Sequence, residues 1–110
     1  MIFTLRSSPA GGGSGTETYM YSGGATAGSE LLRNLIQEEI VADVRSAWDP
    51  AWIDRGVKSA NFGELRLLSS MPGALVETAF HDHPDDLVAE RSPRWRKIVS
   101  RAIYQAVARY

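Results

Sequence analysis

Apolar and polar positions alternate with two different periods along the chain. Leu32, Leu35, Ile36, Ile40 and Val44 recur at spacings of three and four, with Glu38, Glu39, Asp43 and Arg45 between them. This is the stripe of an amphipathic helix lying on a sheet. It is expected to end near Trp48, because Pro50 cannot continue it, and to be capped by Thr26 or Ser29. A second stripe runs through Trp95, Ile98, Val99, Ala102, Ile103, Ala106 and Val107. Ser92-Pro93 precedes it, with serine suited to the N-cap and proline to the first helical position.

Shorter runs read as strands. These are residues 2–5, residues 16–21 (TETYMY), residues 62–68 with their apolar part at Leu65 to Leu68, and residues 75–80. In the second, Thr16, Thr18 and Met20 fall on one side, and Glu17, Tyr19 and Tyr21 on the other. Its tyrosines either line a groove or pack under the first helix. Residues 48–56 read as an aromatic loop whose Trp48 and Trp52 either anchor it to the core or form a sugar-stacking platform. Strands alternating with long helices predict one α/β layered domain over residues 1–110, its sheet mostly parallel and flanked by helices.

The run at residues 75–80 is greasy enough to be buried on both faces, yet it carries Glu77 at its centre. Burying a carboxylate costs several kcal/mol unless it is paired or held neutral. Glu77 is therefore a candidate general acid/base or metal-linked carboxylate; the alternatives are a strand end reaching water, or a structural ion pair with an arginine. Directly after it, His81, Asp82, His83, Asp85 and Asp86 cluster. An HxH pair among carboxylates suggests metal, but no third ligand stands at an established spacing. The other reading is a polar rim, with Asp82 or Asp85 capping a short helix over residues 84–89. The Gly-rich loop at residues 10–15 holds no lysine and does not fit a phosphate loop.

Composition narrows the classes. A net charge of −1 gives no field for nucleic acid, and the basic stripe Arg94, Lys97 and Arg101 reads as a solvated helix face. With no cysteine, thiolate metal sites and disulfides are excluded. No run of residues is long and apolar enough to span a membrane, and the N-terminus lacks a signal-peptide pattern.

Taken in order, these segments resemble the C-terminal half of the zinc-dependent N-acetylmuramoyl-L-alanine amidases, a family of peptidoglycan-cleaving enzymes. Residues 15–21 (GTETYMY) are similar to the family's G-x-E-T-Y-x-Y strand, and residues 71–80 (MPGALVETAF) to its M-P-x-x-L-V-E-x-x-F strand. His81 to Asp86 follows as the family's post-strand loop does, and residues 101–110 (RAIYQAVARY) match its closing helix. The resemblance implies that Glu77 acts as general acid/base on the amide joining the lactyl group of N-acetylmuramic acid to L-alanine, with zinc polarising the carbonyl. It also implies peptidoglycan as partner and a place in the cell envelope or outside the cell.

Two positions depart from that pattern. Arg6 stands where the family has a zinc-binding histidine, and Ser8 where it has an asparagine. A guanidinium has no lone pair to give zinc. The family's other zinc ligands lie in an N-terminal half without counterpart here, so this chain alone is expected to bind no zinc and to be inactive, a truncated domain. Glu77, His81 and His83 are the remaining candidate ligands. The alternative function is a non-catalytic relative that binds peptidoglycan or serves as a structural module. An open sheet edge also predicts association, with a second copy or with a missing N-terminal half. Purified protein is expected to hold well below one equivalent of zinc by atomic absorption; stoichiometric zinc would restore the histidine set.

Overall fold

The computed structural model describes residues 2–6 for their backbone, and residues 13–24, 26–66 and 71–110 in full. Residues 10–12 of the Gly-rich loop, the expected strand's Leu67 and Leu68, and Ser8 lie outside the described residues. Among the described residues the elements are β1 (Ile2–Arg6), β2 (Thr16–Tyr21), α1 (Ser29–Ala47), β3 (Asp54–Ala60), α2 (Gly63–Arg66), β4 (Leu75–Phe80), α3 (Pro84–Arg91) and α4 (Pro93–Arg109). The strands form one sheet in the order β1-β4-β2-β3. β1 runs parallel to β4, and β2 to β3, while β2 and β4 are antiparallel. The expected layered α/β architecture with a mostly parallel sheet is thus observed.

Helices α1 and α4 pack together over one sheet face. Their apolar stripes meet Val76 and Ala79 of β4 and the ring of Trp52, with Ile36, Ile40 and Val44 fully buried. Trp52 is 4 % exposed, donates from Nε1 to Thr16 Oγ1 at 2.9 Å, and lies 5.8 Å from the Trp95 ring. It is therefore a core anchor. Trp48 is partly buried against the same core beneath the Arg94 guanidinium. Polar bonds set the helix on the strands: Gln37 Nε2 donates to Thr16 O at 2.8 Å and Asp54 Oδ1 at 2.7 Å, while its Oε1 accepts from Thr18 Oγ1 at 2.9 Å.

Several local expectations are corrected. Residues 54–60 form a strand that begins in the last residues of what reads as an aromatic loop and runs beyond it. Its sequence DRGVKSA lacks a clean apolar alternation because β3 is a half-exposed edge strand, specified by its ladder with β2 rather than by burial. Conversely, residues 63–66 are a helical turn and not a strand. Phe62 stacks edge-on against Tyr19 and Leu65 is buried beside it, so both reach the same sheet face at a three-residue spacing that a strand cannot provide. Gly28, not Thr26 or Ser29, is the N-cap of α1, and Ser29 Oγ instead accepts from Gly73 N at 3.0 Å. At α3 the cap is His83, whose Nδ1 accepts from Asp86 N, rather than Asp82 or Asp85, and the helix runs on to Arg91. Ser92 and Pro93 start α4 as expected.

Ile40 is fully buried between helix and sheet. Ile40→Ala is expected to lower unfolding free energy by roughly 2–5 kcal/mol in urea titration, whereas Tyr104→Ala, at a 75 % exposed position, should change it by less than about 0.5 kcal/mol.

Candidate functional site

On the sheet face away from α1 and α4, β4 and β2 bring two carboxylates together. Glu77 is opposite Glu17 in the antiparallel ladder, so both side chains leave the sheet on the same side. Both are buried, Glu77 at 8 % exposure and Glu17 at 1 %. Across its other edge, Glu77 pairs with Thr4 of β1. Glu77 therefore lies inside the sheet and not in open solvent, as its apolar flanks imply.

Glu17 is balanced by an edge strand. It accepts from Arg55 Nε at 3.1 Å, from the Lys58 ammonium, and from Tyr19 Oη at 3.0 Å. Burial pushes the Glu17 carboxyl up, but the hydrogen bonds from Lys58, Arg55 and Tyr19 outweigh it and hold the pKa below the ordinary glutamate value.

Arg55 and Lys58 would face opposite sides of a regular strand, being an odd number of residues apart. The β2–β3 register slips between Thr16 and Thr18, which pair with Asp54 and Val57. The extra residue is accommodated at Gly56, whose φ of +82° disfavours any side chain, and Asp54 Oδ1 accepts the Gly56 amide at 2.8 Å. This bulge places both cations against Glu17.

A second slip falls in the β1–β4 pair, where Thr4 matches Glu77 and Leu5 matches Ala79. After it, Ala79 joins the helix-side core, and the Phe80 ring lies under Arg55 at 4.7 Å to the guanidinium carbon. The slip thus turns Phe80 to the face that carries Glu77.

The remaining candidates sit at the end of β4. Arg6 closes β1 in register with Phe80, three positions from Glu77 along β4. His81 is exposed, and His83 spends its Nδ1 lone pair on the cap of α3. Among the described residues no three His, Asp or Glu side chains converge to hold a metal ion. By the resemblance, Arg6 falls at the position of a family zinc ligand, and a guanidinium has no lone pair to offer zinc. Asp86, grouped with the polar rim by sequence, is fully buried. It accepts from Ser14 Oγ at 2.8 Å and from the amides of Gly15 and Phe80 at 2.9 Å each. Sequence reasoning missed Glu17, Arg55 and Lys58 as site residues; the available signal was a second carboxylate, Glu17, in a strand expected to lie in the sheet.

A family model described as N-acetylmuramoyl-L-alanine amidase matches residues 6–109. The chain belongs to the N-acetylmuramoyl-L-alanine amidase family. It is 38% identical over 102 residues to the N-acetylmuramoyl-L-alanine amidase CwlM of Bacillus licheniformis, an alignment covering 91% of this chain and 33% of that protein. It is 31% identical over 96 residues to the amidase LytC of Bacillus subtilis, covering 87% of this chain and 18% of LytC. The crystal structure of an N-acetylmuramoyl-L-alanine amidase from Clostridium difficile 630 superposes with a TM-score of 0.86 at 29% identity, covering 98% of this chain and 54% of that one. The chain thus spans a third or less of these curated relatives and about half of that structure. This amidase family is generally zinc-dependent and acts on peptidoglycan. Among the described residues no helix is long and apolar enough to cross a membrane.

The sign of the Glu17 shift fixes a pH dependence. A depressed folded-state pKa contributes stability that is present above the ordinary glutamate pKa and lost as pH falls through the lowered one. Urea midpoints of wild type and Glu17→Gln should therefore converge as pH drops through that acidic window; a constant gap would mean the Glu17 ion pairs contribute nothing to stability.

Proposed function

We propose that the protein acts on peptidoglycan, with Glu77 as the proton-transfer group for hydrolysis of the N-acetylmuramoyl–L-alanine amide. The observation that carries this is a buried carboxylate at the centre of the sheet, set in a family strand and flanked by a second carboxylate whose charge is already balanced. Glu77 takes a proton from the attacking water and returns it to the leaving amine of alanine; Glu17, held by Arg55 and Lys58, stays ionised and does not compete for that proton. No step is assigned to zinc, because Arg6 does not fit as a ligand. A place in the cell envelope or outside the cell follows from this substrate.

Arg6 also favours a second reading: the 110 residues bind muramoyl-peptide without cleaving it, as a binding module or together with a further copy or another segment. Incubation with N-acetylmuramoyl-peptide, with and without added zinc, separates the two readings. The hydrolase reading expects release of the alanine amine, with Glu77→Gln lowering the rate by about 100-fold or more. Saturable binding without release supports the module, and neither binding nor release overturns both.

A further inference from the structure

Arg55 does more than neutralise Glu17. Its Nε is committed to Glu17, and its guanidinium plane lies over the Phe80 ring, yet its two Nη groups have no acceptor among the described residues. The side chain is 32 % exposed, and that of Lys58 beside it 37 %. Glu77 lies on the same side of the sheet, so Arg55 and Lys58 stand against two carboxylates, and the Nη edge of Arg55 is the open cationic donor among them. A guanidinium with one edge anchored and the other open is a preorganised fork: little side-chain entropy is left to lose when a planar anion docks. Two parallel N–H···O bonds to a carboxylate are the geometry that fork offers.

We propose that Arg55, with Lys58 behind it, is a specificity-determining residue that reads a free carboxylate on the peptide next to the amide to be cleaved. This rests on the cell-wall reading above, and it names the chemical class recognised: a muramoyl-peptide whose residue after alanine carries an unblocked α-carboxylate. The bulge at Gly56 is what makes the site, since without it Arg55 and Lys58 would face opposite sides of β3. The same arrangement disfavours the amidated peptide, whose carboxamide presents an N–H₂ group to the fork and carries no charge.

The test is calorimetric titration of the full chain with N-acetylmuramoyl-L-alanyl-D-glutamate and with its α-carboxamide. A Glu77→Gln background keeps either ligand intact. The carboxylate form should bind about tenfold or more tightly, in line with the strength of charge-assisted hydrogen bonds. Arg55→Lys keeps the charge next to Glu17 but loses the fork, and should bring the ratio close to one while far-UV circular dichroism and melting temperature stay near those of the background protein. Equal binding of both ligands before Arg55 is changed overturns the inference alone. An unchanged preference in Arg55→Lys also overturns it and moves the selectivity to another group. Binding of neither ligand overturns the cell-wall reading and the inference with it.

Discussion

Asp86 holds the ends of the central strands in place. A carboxylate with no exposure to solvent survives only when its oxygens are fully used, and this one accepts from Ser14 Oγ, Gly15 N and Phe80 N. It also lies in the first turn of α3, where the helix dipole favours negative charge. Through these bonds the start of β2, the end of β4 and the start of α3 become one unit. That unit fixes the antiparallel register of β2 and β4, and the register is what sets Glu17 opposite Glu77. Gly15 reinforces it: φ is +97° there, and a Cβ would collide with the Ile53 carbonyl that accepts the Thr16 amide.

The two slips in strand register belong to the same design. A regular sheet would leave Lys58 on the face opposite Arg55, and Phe80 on the face opposite Glu77. Each bulge adds one residue and returns the later side chain to the polar face. The outcome is an asymmetric sheet. One side is a dry helix-packed core, and the other concentrates carboxylates, cations and aromatic rings around the end of β4.

These features differ in how far they can be read from the residues. The helical stripes, the Ser92-Pro93 start and the apolar run around Glu77 are local signals, because periodicity and burial act within one element. The strand β3 was hidden because an edge strand needs only one ladder and little apolar surface, so DRGVKSA looks like loop. Residues 62–68 misled in the other direction: Phe62 and Leu65 are apolar at a spacing that serves a helical turn over Tyr19. The candidate site was half visible. Glu77 stands out as a charge among apolar neighbours, whereas the roles of Glu17, Arg55 and Asp86 depend on partners 38 to 72 positions away that no local pattern reveals.

The order of strands in the sheet also bears on synthesis. β2 lies between β3 and β4, and α1, set on β2 by Gln37, gains the rest of its cover from β4 and α4, which come much later in the sequence. As a ribosome extends the polypeptide, α1 and β2 emerge before β4 and α4, which complete their burial, and their apolar residues stay open to wrong partners until those elements arrive. Such a segment gains little from folding early and much from a chaperone that holds it until α4 has emerged.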